Sequence, residues 1–171
     1  VLIRRESDVD IAASRRVLLA AFGSGEGSPV EVSLLDALRA DKAWLPRLSI
    51  VAEVDGTVAG YVSCTRAWLD PGGVEVLGLG PIGVLPHLQR LGVGKALMHG
   101  VIAAAEALDE KLIGLLGSPD YYHRFGFRPS TEYGVRPPRA DWAAYFQVRA
   151  LARQDALPCG TFRYAEPFND L

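Results

Sequence analysis

Gln89-Arg90-Leu91-Gly92-Val93-Gly94-Lys95 is the stretch of this chain whose residue types and spacing most directly imply chemistry. Two glycines in a turn that opens a helix expose backbone N–H groups at the positive end of the helix dipole, which makes a cradle for phosphate. Gly92 and Gly94 carry no side chain, so an anion can come close to the main chain. Arg90 and Lys95 flank the turn and add positive charge. An ordinary strand-to-helix connection uses glycines in the same way, so on these residues alone both readings stand. Two other glycine-rich signals fail on context. Gly78-Leu79-Gly80-Pro81-Ile82-Gly83 has the spacing of a dinucleotide-binding turn, yet it lies inside a strand, Pro81 interrupts it, and no acidic residue stands where the ribose would need one. Its glycines and proline suit a β-bulge and a close backbone approach by a ligand. Gly94-Lys95 is followed by Ala96 and lacks the upstream glycine of a Walker loop.

Farther along, Ser118 to Pro129 reads SPDYYHRFGFRP. Together with VLPHLQRLGVGKAL at Val84–Leu97, this segment resembles the GNAT N-acetyltransferase superfamily, and in particular its YhbS-like bacterial branch. Gly160-Thr161-Phe162-Arg163-Tyr164 and Pro167-Phe168 extend the resemblance toward the end of the chain. The branch usually has Gly-Asp-Pro before the tyrosines, whereas this chain has Gly117-Ser118-Pro119. The first seventy residues carry little of the likeness.

The resemblance implies that the Gln89–Gly94 turn, with Lys95, holds the pyrophosphate of acetyl-coenzyme A. It further implies that the central strand offers free main-chain groups to the pantetheine arm at Ile82, Gly83 and Val84. The Ile82 backbone N–H would face the thioester carbonyl, where a fixed donor stabilises the negative charge that builds up in the transition state. Tyr122 is the candidate general acid, giving a proton to the departing thiolate, and Ser118 joins the coenzyme contacts. Tyr121 competes for that role. Neighbouring helical positions point about 100° apart, however, and the spacing to Gly126-Phe127 favours Tyr122. Glu75 on the central strand is the candidate general base, and Glu53 on the neighbouring strand is the alternative carboxylate.

The predicted elements that position these residues run in the order β-α-α-β-β-β-α-β-α-β-β. Leu2–Arg5 is a short strand, and Ser7 or Asp8 caps a helix carrying Ile11, Val17, Leu18, Ala21 and Phe22. Gly23–Pro29 is a flexible loop before a helix over Val30–Ala40 with Val32, Leu35 and Leu38 on its apolar face. Asp55-Gly56 joins strands Leu48–Val54 and Thr57–Leu69 in a hairpin. The turn Asp70–Gly73 leads to a central strand Val74–Val84, a helix over Gly92–Leu108, a strand Leu112–Leu116 and a short Tyr121 helix. Two strands near Tyr145–Leu151 and Thr161–Tyr164 complete an α/β mixed sheet with helices on both faces. The family likeness implies that its central strands splay apart.

Composition bounds the rest. A chain of 171 residues without a linker or repeat reads as one domain, residues 1–171, with charged residues at 22% and hydrophobic ones at 49%. A net charge of −2 offers no basic face for nucleic acid. No apolar run reaches the roughly 18 residues of a membrane helix, and Arg4, Arg5, Glu6 and Asp8 near the start do not suit a signal peptide. Cys64 and Cys159 lack metal-ligand spacing and read as buried thiols of a cytoplasmic protein, and His87, His99 and His123 show no metal pattern, so no metal is expected. Few lysines with many alanines and glycines suggest a GC-rich bacterial genome.

The expected reaction is direct attack of a primary amine on acetyl-coenzyme A, since no cysteine or serine sits in a nucleophile arrangement. The acceptor, a small molecule, would bind among the first two helices, the Gly23–Pro29 loop, Trp44 or Trp68, and the segment Pro129–Trp142. Glu26, Glu31 and Asp36 favour a cationic acceptor over an acidic one. Rival readings are a non-catalytic acyl-coenzyme A sensor or scaffold, and an acyltransferase using another acyl chain or a hydroxyl acceptor. Oligomeric state is left open, a homodimer included.

Overall fold

The computed structural model describes residues 1–151 and 156–171. Its strands and helices follow the predicted order: β1 Leu2–Arg5, α1 Ile11–Phe22, α2 Val30–Ala40, β2 Ser49–Val54, β3 Thr57–Asp70, β4 Val74–Val84, α3 Val93–Ala107, β5 Leu112–Leu116 and α4 Pro119–Tyr122. Then come β6 Arg128–Pro129, β7 Val135–Arg136, β8 Phe146–Ala150 and β9 Gly160–Arg163. The two-residue strands β6 and β7 are too short to leave a periodic signal in the sequence.

The sheet runs β1-β2-β3-β4-β5-β8-β6, with β9 paired to the far end of β3 and β7 paired to β9. β4 with β5 and β7 with β9 are parallel, and the other pairings are antiparallel. Side chains alternate across the sheet as the strand period requires. Ile50, Ala52, Val62 and Cys64 point to one face and meet Val93, Leu97, Met98 and Val101 of α3. Val51 and Tyr61, one residue out of step, point to the other and meet Val17 and Leu18 of α1 with Val32 and Leu35 of α2. Helices therefore cover both faces. A third cluster, around Phe146, Phe162, Tyr164 and Phe168, joins the C-terminal strands to Leu34 and Leu38 of α2.

A single helical turn over Asp8–Asp10 leads into α1, and there the Ser7 N–H and hydroxyl both donate to the Asp10 carboxylate, at 2.9 and 2.6 Å. Val17 and Leu18 are buried as the helical spacing predicts, but Ile11 and Phe22 at the two ends are exposed. Cys64 lies in the core, and burial pushes its thiol pKa up. Cys159 is exposed, contrary to the sequence reading, because it sits in the irregular approach to β9, outside the periodic apolar segments.

Candidate active site

The two edges of β4 set the site. On one side β4 pairs with β3 from Leu69↔Val74 to Gly60↔Val84. On the other it meets β5 only at Leu77↔Ile113 and Gly78↔Gly114, after which the strands part. The splay expected for the central strands is therefore present.

The β3–β4 register shifts between Val62 and Cys64, where β4 contributes the extra residue among Gly80 and Pro81. Gly80 has φ +148, open to glycine and rarely to other residues, and its carbonyl accepts the Ser63 hydroxyl at 3.1 Å. The bulge re-aims the last stretch of β4. From Ile82 onward the ladder is regular, and the Leu85 N–H donates to the Ala59 carbonyl at 2.9 Å. Alternation along a strand then turns the N–H groups of Val84 and Ile82 to the opposite edge, where β5 has left the ladder.

A cleft of about 630 Å³ lies at one end of that open edge, lined by Val84, Gln89, Arg90, Gly92, Gly94, Lys95, Tyr121 and Arg124. Arg90 (φ 63) and Gly92 (φ 90) both adopt left-handed backbone, and Gly92 is the N-cap of α3 without a side-chain cap. Such a turn directs successive N–H groups into one concavity. The first helical bond is Ala96 N–H to the Gly92 carbonyl at 3.0 Å, so Val93, Gly94 and Lys95 present N–H groups ahead of the helical ladder. Gln89 borders the cleft without aiming its amide N–H at it. Its amide instead donates to the Val84 carbonyl at 3.0 Å and ties the turn to the strand end. Val93 is buried beneath the turn and Leu91 is exposed beside it, so both contribute main chain to the cradle. Arg124, to which the sequence reading gave no role, brings a third cation: its guanidinium lies 5.0 Å from the Tyr121 ring and donates to the Tyr121 carbonyl at 3.0 Å. A basic residue one turn after a candidate site residue is the signal that could have found it.

A second cavity, of about 290 Å³, lies where β4 and β5 diverge. Its floor is Leu79, Gly80, Pro81 and Ile82 of β4 with Leu115 and Leu116 of β5. Phe22 ends α1 on one wall, Val30, Glu31 and Leu34 of α2 continue it, and Trp142, Tyr164 and Phe168 close the far side. Tyr122 also lines this cavity, while Tyr121 lines the 630 Å³ cleft, so the short helix presents one tyrosine to each. Gly117 makes room for the Tyr122 ring, which a Cβ there would strike. Burial, reinforced by Tyr121, pushes the Tyr122 hydroxyl up to about 12, which keeps it protonated at neutral pH. Burial also raises Tyr121.

Several expected residues fall elsewhere. Glu75 is exposed at the start of β4, opposite Trp68, roughly 20 Å along the strand from Ile82 at about 3.3 Å per residue. It does not line the cavity and is withdrawn as the base. Glu53 accepts the Arg4 Nε–H at 3.0 Å, toward the β1 edge of the sheet. Gly83 contributes space, because a Cβ there would stand 2.9 Å from Leu18 of α1. Ser118 is exposed at the start of α4, and its carbonyl accepts the Tyr121 and Tyr122 N–H groups at 3.1 Å. Trp44 lies beneath Arg39 and Trp68 beneath Arg163, away from the cavity; Trp142 lines it. The C-terminal aromatics Tyr164 and Phe168 complete a wall that the sequence reading did not include. Among the described residues no cluster of His, Cys, Asp or Glu suits a metal, and no helix is long and apolar enough to cross a membrane.

Comparison with known proteins places this geometry in context. A family profile described as "Acetyltransferase (GNAT) family" matches residues 20–127. The chain is 28% identical over 166 residues to the uncharacterized N-acetyltransferase YjhQ of Escherichia coli K12, covering 92% of this chain and 88% of that protein. It is similar to the solved structure of the E. coli GNAT family N-acetyltransferase YhbS in complex with CoA, with a TM-score of 0.88 and 27% identity over 98% of this chain and 91% of that one. A GNAT family acetyltransferase from Brucella melitensis, solved in complex with acetyl-CoA, is 35% identical with a TM-score of 0.78, covering 98% of this chain and 97% of the other.

Proposed function

The chain belongs to the GNAT acetyltransferase family, and from that premise we propose that it moves an acetyl group from acetyl-coenzyme A to a primary amine by direct attack. The observation that carries this reading is the open edge of β4, which runs from the N–H cradle at Gly92–Lys95 past Val84 and Ile82 into a cavity holding Tyr122. A pyrophosphate in the cradle would be held by main-chain N–H groups with Arg90, Lys95 and Arg124 around it. The pantetheine arm would then follow the strand edge in place of a missing strand, taking the hydrogen bonds that β5 leaves unmade. At Ile82 its thioester carbonyl meets an N–H fixed by the sheet, which costs no reorganisation when the oxyanion forms.

The amine nitrogen bonds to the acetyl carbon and the carbon–sulfur bond breaks. Tyr122 gives its hydroxyl proton to the departing thiolate and recovers one from the nitrogen that has become an amide. The carboxylate of Glu31 on the cavity wall favours an ammonium-bearing acceptor over an alcohol.

Tyr122→Phe is the direct test. It keeps the ring and its packing and removes the proton donor, so acceptor-dependent thiol release should slow by about 10²- to 10⁴-fold with little change in acetyl-coenzyme A affinity. Tyr121→Phe, on the cleft side, should leave the turnover rate nearly intact. Equal rates for Tyr122→Phe and the unaltered protein would remove the tyrosine from the mechanism.

A further inference from the structure

The cavity that receives the acceptor is built for one positive charge and no negative one. Its walls are Phe22, Leu34, Leu79, Leu115, Trp142 and Phe168, and among the described residues Glu31 is the only carboxylate side chain lining it. Glu31 makes no ion pair among the described residues, so no arginine or lysine neutralises it at the cavity, whereas the buried carboxylates Glu6, Asp10 and Glu110 are each matched by an arginine. Glu31 is half-buried in the first turn of α2, where the helix dipole suits a carboxylate, and it borders the apolar wall of the cavity. The cavity behind Trp142 and Phe168 holds two arginines, but Arg139 is paired with Asp141 at 2.7 Å and Arg163 with Asp70 at 2.8 Å. A carboxylate on the acceptor would meet no available charge there.

We propose that the acceptor is a primary amine with a single positive charge on a compact aromatic or branched aliphatic body, and that Glu31 receives its ammonium. This rests on the acetyl-transfer reading above. The cavity volume, about 290 Å³, stands at the low end of small-molecule sites, which run from about 300 Å³ upward. Polyamines and aminosugars, which carry several ammonium groups, would leave all but one desolvated against Leu and Phe. Amino acids would bury an unmatched carboxylate. The ammonium loses one proton to Glu31, which passes it to solvent. The freed amine then forms the N–C bond as C–S breaks, and one proton is released overall.

The test uses the full chain, acetyl-coenzyme A and four probes: phenethylamine, isoamylamine, spermidine and phenylalanine. Thiol release with phenethylamine and isoamylamine should exceed that with spermidine and phenylalanine by at least about 10²-fold in kcat/KM, the scale set by an unpaired buried charge. Glu31→Gln should raise the KM for phenethylamine at least about tenfold, the loss of one charge-assisted hydrogen bond, with the KM for acetyl-coenzyme A unchanged. Glu31→Asp should recover part of the loss. Spermidine or phenylalanine turned over as well as phenethylamine, or a Glu31→Gln variant with an unchanged amine KM, would overturn the inference while leaving acetyl transfer standing. If acetyl-coenzyme A neither stabilises the protein against heat nor releases thiol with any probe, the acetyl-transfer reading falls and this one with it.

Discussion

The half of the molecule around β1, β2 and α1 pairs its buried carboxylates internally, while the half around the β4–β5 fork leaves strand-edge and helix-start N–H groups facing open space. In the first, Arg4 bridges Asp10 at 2.7 Å and Glu53 at 3.0 Å. Glu6, almost fully buried, accepts from Arg39, from the Ser14 hydroxyl at 2.6 Å and from the Ser49 hydroxyl at 2.7 Å. Ser49 in turn lies 2.8 Å from the Tyr61 hydroxyl. In the second, β5 parts from β4 after Gly114, the start of α3 has no side-chain cap, and Glu31 makes no ion pair among the described residues. Backbone donors are rarely left unmatched inside a protein. The proposed site uses the unmatched groups of the fork, whereas on the β1 side the carboxylates are matched and only Arg39 Nε and Nη1 stay buried without a partner. Variants in the two halves should separate ligand response from stability.

The largest effect is expected at the cradle. Gly94→Val puts a branched side chain in the cleft, and its Cβ alone would stand 3.1 Å from the Tyr121 hydroxyl. Gly92→Val meets no neighbouring atom, but it forces a β-branched residue to φ +90. A ligand at a hundred times its Kd stabilises a protein by about 2.7 kcal/mol. The thermal shift given by acetyl-coenzyme A should largely vanish in Gly94→Val, with the apo protein still folded. Gly92→Val should lose apo stability as well, by about 1 kcal/mol or more. A full ligand shift in Gly94→Val would mean that the pyrophosphate lies elsewhere and that the fork is not continuous with the cradle.

A smaller effect of the opposite kind is expected at the junction of the two halves, where β4 and β5 still pair. Phe162 lies across Gly114 so closely that a Cβ would stand 2.5 Å from its ring, and Tyr164 does the same over Gly78 at 2.7 Å. Gly114→Ala should overpack this layer and destabilise the protein by about 1–3 kcal/mol. Because the packed ring lies away from the cradle, the affinity for acetyl-coenzyme A should change little. Calorimetric unfolding with and without the coenzyme checks both statements, and a large loss of affinity would show that the paired and splayed parts of the fork are mechanically coupled.

What the sequence made legible follows the same division. The left-handed turn at the start of α3 was readable because glycine spacing at a helix start has a local physical meaning, and the family likeness pointed to Tyr122, which lines the cavity at the fork. The Asp55-Gly56 hairpin and the α3 face were readable for similarly local reasons. The cavity walls were not. Phe22, Leu34, Tyr164 and Phe168 come from three distant segments, and no local pattern says that they meet. Glu31 carried a hint: at 100° per residue it falls on the same side of α2 as Leu34, Leu38 and Leu35, so a carboxylate there borders the apolar face. Glu75 was misjudged for the complementary reason. Sharing a strand with Ile82 says nothing about distance when six residues of extended chain intervene.

The smallest effect belongs to the self-satisfied half and depends on pH. The Arg4 guanidinium, with smaller contributions from Ser7, holds the Asp10 carboxyl well below the usual carboxylate range against the opposing effect of burial. A carboxyl depressed in the folded state contributes stability that is fully present above its unfolded value of about 3.9 and is lost as pH falls through the folded one. The protein should therefore lose heat stability progressively below about pH 4, where the unfolded chain takes up a proton that folded Asp10 refuses. Asp10→Asn removes that ionisation: it should be less stable than the unaltered protein at neutral pH and show a shallower decline over about pH 4 to 2. The Ser7 cap keeps an acceptor in Asn, so α1 should persist and acetyl-coenzyme A should still give its full thermal shift at neutral pH. An acid slope identical in the two proteins would mean that the Arg4–Asp10 pair adds nothing net. A diminished ligand shift in Asp10→Asn would break the separation between the halves, because among the described residues the hydrogen bonds of this network run only among Arg4, Arg5, Ser7, Asp10 and Glu53.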